Sequence, residues 1–432
     1  MNIAQAITRK RRGETLSAED IRSLIGDYMA HRVDDDAMAE LLRAICQQGM
    51  DSAETTALTM AMADSGGRLD LFAIPGIKVD KHSTGGVGDK VTLGACPLAA
   101  AAGVPVAKLS GRALGHTGGT IDKLESIPGL RTELSDTEFV AQVGDIGLAF
   151  ASQSEQLAPA DKRLYALRDR TGTVASPPLI AASVMSKKLA AGADAVVLDV
   201  KYGAGAFMST FEEAERLASL MVDIGESADR RMYSILSPMD QPLGRAVGNA
   251  LEVWEAAQML RGEGPTDLCE TSLLVAGLMI HAGGQAASPR EGQDRAADLI
   301  ASGAGLEKLR QVIERQGGDP RALDHRAHLP IAAYRSEALA PRAGFVRWLD
   351  ARAVGETVAW LGGGRGPNHA EIDHAVGVML HAKVGDEVHA GRPLCTVHAN
   401  DADRGEEATR RMLDAYTIGA DPTDPPITGT RH

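Results

Sequence analysis

What this chain lacks narrows it first. No stretch of its 432 residues is apolar enough to span a bilayer. The opening segment, Met1 to Gly13, carries Arg9, Lys10, Arg11 and Arg12 with no apolar core behind them, so it does not read as a secretory signal. Basic charge is in deficit: 45 Lys and Arg against 58 Asp and Glu leave a formal net charge of -13. A general nucleic-acid surface needs a basic face, so that class is set aside; a small anion in a local basic pocket is not. Cysteine is scarce. Cys46, Cys96, Cys269 and Cys395 lie far apart without a C-x-x-C pair, and read as reduced core thiols of a cytoplasmic protein rather than a metal site or disulfide frame. Two nucleotide signatures are also missing. Asp89 separates Gly88 from Lys90 and Val91 follows, so there is no Walker loop, and Gly85-Gly86-Val87-Gly88 does not give G-x-G-x-x-G. An anion bound here is expected to be free phosphate.

What is present is ordinary in bulk, with 44% hydrophobic and 24% charged residues, and long enough for two or three domains. The organising stretch is Val79-Asp80-Lys81-His82-Ser83-Thr84-Gly85-Gly86-Val87-Gly88-Asp89-Lys90. It follows a short apolar run and precedes an Ala-rich helical segment from Leu93 to Ala102. A glycine-rich turn between strand and helix can aim N–H groups at an anion, and the helix dipole adds attraction. Lys81 and Ser83 supply a charge and a hydroxyl, and His82 can move a proton near neutral pH. The plain alternative is a glycine turn with solvated polar residues.

The rest of the chain falls into three characters. Residues 1 to 65 are all-helical by period: Ser17 with Asp20 signals a cap, and Ile21, Leu24, Ile25 and Tyr28 share a face. Gly66-Gly67 is a candidate hinge. From Leu71 onward short apolar runs at Ile77–Val79, Val104–Leu109, Leu148–Ala151, Ala195–Val200 and Met232–Leu236 alternate with helices, which predicts a mainly parallel sheet. A second glycine-rich loop, Ser110 to Thr120, places two more hydroxyls at a strand end, where ligands gather in such sheets. His116 in it reads as a loop brace. Tyr165 and Arg168 share one helix face, Ser183 and Lys187 another, while Lys188 reads as a surface charge. Residues 318–343 read as a connector. Residues 344–400 read as a small β-rich domain with a strand–turn–strand at Val384–Gly391, and the Pro/Thr-rich tail from Asp421 to His432 as mobile.

These stretches together resemble the pyrimidine-nucleoside phosphorylase and thymidine phosphorylase family across almost the whole chain. The strongest parts are Asp80 to Asp89, Ser110-Gly111-Arg112 with Leu114 to Glu125, Ala158 to Arg163, Lys187 to Ala190, and Gly203 to Met208. The resemblance implies an α/β protein: a split all-helical domain (1–66 and 157–192) facing a larger α/β domain (67–156 and 193–335) with a mainly parallel sheet, plus a C-terminal α+β domain (336–432). It implies a substrate cleft between the first two, a homodimer joined through the helical domains, and reversible phosphorolysis of a pyrimidine nucleoside without an organic cofactor.

By the same resemblance, Lys81, Ser83, Ser110 and Thr120, with Thr92 in a lesser part, hold phosphate. His82, Tyr165, Arg168, Ser183 and Lys187 bind the base, with His82, Arg168 and Lys187 acting in catalysis. Some relatives bind potassium at positions matching Gly88, Lys90, Leu243, Ala246 and Glu255. Lys90 is unusual there, and its ammonium is expected either to stand in for the ion or to point to solvent. Gly172, Pro177, Ser152, Ala113 and Tyr202 depart from the family pattern and bear on substrate preference. Two other readings stand beside the phosphorylase: a phosphoribosyltransferase of the anthranilate type, which shares the fold, and a nucleoside-binding relative without turnover.

Overall fold

The computed structural model describes residues 1–113, 115–154, 156–365 and 371–424, and the backbone of 430–431. The chain divides into two compact units: 1–73 with 153–196 and 215–233, and 74–152 with 197–214 and 234–432.

The first unit is built on helices Ile3–Arg11, Ala18–Met29, Asp35–Gln48, Ser52–Ala63, Pro159–Thr171 and Pro177–Ala190. Ser17 accepts the Asp20 N–H, Asp34 the Ala37 N–H, and Asp51 forms a reciprocal box with Glu54; each cap contributes about 1 kcal/mol. The predicted stripe Ile21, Leu24, Ile25 and Tyr28 is buried, packed with Met38, Leu42, Leu58, Leu164 and Leu179 in one core. Inside it the Lys10 ammonium meets both Glu54 carboxylate oxygens at 2.8 and 2.7 Å, and Glu54 also accepts the Leu16 N–H. Both ends of that buried pair therefore have partners, which is what makes its burial tolerable. At Gly66-Gly67, read above as a hinge, the Gly67 N–H donates to the Gln156 carbonyl at 3.0 Å.

The second unit carries the α/β alternation. Strands Val79–Ser83, Val106–Ser110, Leu148–Ser152, Ala195–Tyr202 and Arg231–Pro238 occur close to where the apolar runs predict them. Val106–Ser110 and Leu148–Ser152 pair in parallel, Ser110 opposite Ser152. Val79–Ser83, Ala195–Tyr202 and Arg231–Pro238 are neighbours in a second sheet. Thr430–Arg431 pairs antiparallel with Leu236 and Ile235, so part of the tail read as mobile is a strand; residues 425–429 and 432 lie outside the described residues. Helices Val91–Ala101, Asn249–Leu260, Thr266–Ala282, Pro289–Ala301 and Ala304–Arg315 complete the α/β part.

Two features of the C-terminal region differ from expectation. The connector is structured: it holds two short 3-10 turns and the strand Tyr334–Leu339, which pairs antiparallel with Pro393–Ala399. This strand is a sheet edge rich in polar residues, so its apolar signal is weak. Within Val384–Gly391 the strand Glu387–Val388 pairs with Gly344–Leu349 from far upstream rather than across its own turn.

One buried side chain fixes the Leu148–Ser152 strand. Gln316 donates to the Arg131 and Phe150 carbonyls at 2.6 and 2.8 Å and accepts the Phe150 N–H and the Gln142 amide at 3.2 Å each. Gln316→Leu removes the side-chain partner from the Arg131 and Phe150 carbonyls and the Phe150 N–H, while the Gln142 amide keeps the Leu148 carbonyl. The expected loss is about 2–4 kcal/mol of stability, read as a lower urea midpoint; an unchanged midpoint would contradict this role for Gln316.

Candidate functional site

The Val79–Ser83 strand runs on through Lys81 and Ser83, so the charged residues sit at its carboxyl end rather than in the loop. Lys81 is fully buried, its ammonium 3.2 Å from Asp199 and 3.4 Å from the Thr92 hydroxyl. Ser83 donates to Asp89 at 2.5 Å and accepts the Gly85 N–H. Asp199 and Lys201, from the Ala195–Tyr202 strand, pair at 2.8 Å, and Lys201 lies 4.0 Å from Asp89. Lys123 donates to the Asp89 carbonyl and pairs with Glu252. The Thr84 hydroxyl takes the Lys201 N–H at 2.8 Å, and the Asp199 carbonyl takes the Thr84 N–H. The glycine-rich loop is thus stitched to the neighbouring strand by main chain and side chain together.

The charges in this cluster set one another. Burial by itself pushes the Asp89 carboxyl up, but Lys201, Lys81, the Ser83 hydroxyl and Lys123 hold it well below the usual carboxylate range. Burial pushes the Lys81 ammonium down, and Asp89 and Asp199 outweigh it, raising its value. Ser110 ends its strand buried, and its hydroxyl has no hydrogen-bond partner among the described residues. Thr120 opens the short helix Thr120–Leu124. His82 is half-buried on the same strand end as Lys81 and Ser83. His116 donates from Nε2 to the Gly205 carbonyl at 3.1 Å and lies beside Phe207, a loop brace as expected.

The first unit holds the other predicted set. Arg168 is buried, and its three nitrogens donate to the Thr173, Val174 and Leu179 carbonyls at 3.3, 2.6 and 2.9 Å. Its guanidinium lies 5.8 Å from the Tyr165 ring centre. Burial lowers its value, opposed by Asp161 and Tyr165. Lys187 pairs with Asp161 at 2.7 Å and donates to the Ser183 hydroxyl at 3.3 Å. The two departures between these helices have local roles: Gly172 closes the first helix with a left-handed φ of 67°, and Pro177 opens the second. Arg168 spans the connection, so its placement and that of Ser183 are coupled through this backbone.

Lys188 corrects a prediction. It is 3% exposed rather than a surface charge, because its helix is buried on most of its circumference. The set matching Gly88, Lys90, Leu243, Ala246 and Glu255 does come together. The Lys90 ammonium, 1% exposed, donates to the Leu243 and Ala246 carbonyls at 3.0 and 2.8 Å and to Glu255 at 2.5 Å. It does not point to solvent.

Sequence reasoning missed Asp89, Asp199, Lys201 and Lys123 around the phosphate candidates, and Asp161 beside Lys187. A signal existed for two of them. Asp199 interrupts the apolar run Ala195–Val200 and Lys201 directly follows it, alternate positions on one strand face, where an unpaired charge would be costly.

Residues 4–66 match the helical bundle domain of the glycosyl transferase family, residues 76–306 its a/b domain, and residues 345–419 the pyrimidine nucleoside phosphorylase C-terminal domain. The pyrimidine-nucleoside phosphorylase of Staphylococcus aureus strain USA300 is 49% identical over 97% of this chain and 96% of the relative. That of strain MSSA476 is 48% identical over the same shares. The anthranilate phosphoribosyltransferase of Thermus thermophilus has the same fold, with a TM-score of 0.58 at 23% identity over 72% of this chain and 99% of its own. This chain thus has a helical N-terminal part, a larger α/β part with a parallel sheet and a small β-rich C-terminal part, and it belongs to the pyrimidine-nucleoside phosphorylase family of glycosyltransferases.

Proposed function

We propose that this protein catalyses the reversible phosphorolysis of pyrimidine nucleosides (thymidine, 2′-deoxyuridine or uridine) to the free base and (deoxy)ribose 1-phosphate. The reading is carried by the buried lysine–carboxylate cluster at the Lys81–Ser83 strand end, in a chain 49% identical to relatives named for that activity. A phosphate oxygen bonds to the anomeric carbon as the C–N bond breaks, and the bonding pair leaves on the base. Positive charge grows on the sugar and negative charge on the base, so catalysis needs a held nucleophile and a stabilised leaving group.

Lys81, Ser83, Ser110 and Thr120 hold the phosphate, with Thr92 steadying Lys81. Lys81 and Lys201 balance Asp89 and Asp199 in charge, so this cluster recognises phosphate by aimed donors rather than by net charge. The Ser110 hydroxyl, without a partner among the described residues, is one such donor. Tyr165 and Ser183 hold the base, Arg168 and Lys187 stabilise its developing negative charge, and His82 donates to a base carbonyl oxygen. Asp161 positions Lys187. The protein works as a cytoplasmic homodimer with inorganic phosphate as co-substrate and no organic cofactor; the family resemblance supports the dimer, and four free, scattered cysteines support a reducing compartment.

Chromatography of uridine, thymidine and 2′-deoxyuridine incubated with and without phosphate is the direct test. Phosphate-dependent base release is expected, and either Arg168→Ala or Lys187→Ala lowers kcat by about 10²–10³. Release from deoxynucleosides alone narrows the activity to thymidine-type substrates. No phosphate-dependent release from any of the three overturns the reading, and magnesium-dependent turnover of a phosphoribosyl donor would instead favour the anthranilate-type chemistry of the shared fold.

Asp89→Asn leaves Ser83, Lys81 and Lys201 facing a neutral amide. It is expected to raise KM for phosphate and to lower stability by about 3–5 kcal/mol. Because the native carboxyl is held low, its contribution is complete above the ordinary aspartate value of about 3.9. It is lost as pH falls through the lower native value. The gap in unfolding midpoint between the two proteins should therefore stay constant from about pH 8 down to about 5 and close only in acid; a gap that widens in acid would refute this account.

A further inference from the structure

The Lys90 cluster is a built cation site with its cation supplied by the chain. Two carbonyl oxygens, from Leu243 and Ala246, and one Glu255 carboxylate oxygen converge on a single point 2.5–3.0 Å from each, and the Lys90 Nζ occupies it. Such a set of backbone carbonyls and one carboxylate suits a dehydrated monovalent cation. Here an ammonium already fills the position and balances Glu255. The residues present therefore do not fit a bound potassium ion at the positions where the family resemblance puts one.

The surroundings show what the ammonium holds. Glu255 also accepts the Arg245 and Ala246 N–H groups at 2.9–3.1 Å. The Leu243 N–H donates to the Val87 carbonyl at 3.1 Å. A Cβ on Gly88, whose φ is 71°, would come within 2.7 Å of the Leu243 carbonyl, so the glycine-rich loop and the 243–246 segment run in close backbone contact. From the other side Lys383 donates to the Pro242 carbonyl at 2.8 Å and pairs with Asp267, which accepts the Gly244 N–H. Ala246 and Val247 then pair antiparallel with Met379 and Val378 of the C-terminal sheet. Lys90 immediately follows Asp89, the carboxylate at the centre of the phosphate-side cluster.

We infer that Lys90 is a tethered replacement for a monovalent metal ion: its ammonium joins the Gly85–Asp89 loop to the 243–246 segment and positions Asp89, making the enzyme independent of potassium. The inference rests on the phosphorolytic reading for its kinetic consequence only. Lys90 is a positioning residue and touches no substrate.

The test compares the full-length protein with Lys90→Ser and Lys90→Met in KCl, NaCl and NH4Cl at equal ionic strength, reading both thermal unfolding and phosphorolysis. The parent protein should show the same Tm and the same kcat and KM for phosphate in all three salts. Lys90→Ser in NaCl should lose about 5–10 °C in Tm and raise KM for phosphate more than it lowers kcat. KCl or NH4Cl should restore both in a saturable manner, because the shortened side chain leaves room for an ion among the same oxygens. Lys90→Met, which fills the space without charge, should not be restored. Stimulation of the parent protein by potassium over sodium would overturn the inference, as would a Lys90→Ser variant indifferent to all three salts. Should that variant fail to fold in NaCl, its refolding yield in KCl against NaCl reads the same question. A parent protein without phosphorolytic activity in any salt would sink the functional reading, while the Tm comparison would still decide the role of Lys90.

Discussion

A buried carboxylate ringed by ammonium groups governs the α/β unit. Asp89 bonds the Ser83 hydroxyl and draws Lys81, Lys201 and Lys123 around it, while Asp199 takes the ammonium of both Lys81 and Lys201. In a low-dielectric interior none of these charges is tolerable alone, and together they are stable only in one arrangement. That requirement ties the glycine-rich loop to two strands and fixes where its hydroxyls and N–H groups point. The geometry of this strand end is therefore set by charges that largely neutralise one another, and on the proposed reading phosphate would meet donors already in place rather than drawn together on binding.

The same logic recurs elsewhere among the described residues. Lys10 and Glu54 form a buried pair in the helical unit, Lys187 and Asp161 a partly buried one there, and Lys90 and Glu255 a buried one in the α/β unit. Each brings together segments remote in sequence. Where the pair lies beside main-chain carbonyls, as at Lys90, the ammonium is also the hydrogen-bond donor that those carbonyls need. Arg168 is the complementary case. Its guanidinium is spent largely on the carbonyls of a glycine- and proline-bounded connection, so backbone conformation and the placement of the charge proposed to meet the base are one problem.

Much of the fold could be read from the residues. The helical stripe at Ile21, Leu24, Ile25 and Tyr28, its Ser17 cap, and the apolar strand runs appear close to where their periods predict them. The edge strand Tyr334–Leu339 was illegible because an edge needs no apolar face, and Glu387–Val388 because its partner lies some forty residues upstream. Lys188 was misread because a helix buried on most sides gives no periodic signal to separate exposed from covered positions.

At the site, the chemical inventory is legible in the residues alone: the Lys-His-Ser-Thr run at a strand end, two glycine-rich loops, and the Tyr165/Arg168 and Ser183/Lys187 pairs, all set by local periodicity and motif order. Which charges neutralise which emerges on folding. Asp199 reaching Lys81, Asp161 reaching Lys187, and Lys90 reaching the Leu243 and Ala246 carbonyls join residues 26 to 156 positions apart. The physical reason is that local preference acts through neighbouring residues, whereas the cost of burying a charge is settled by whatever the folded chain places within about 3–4 Å of it.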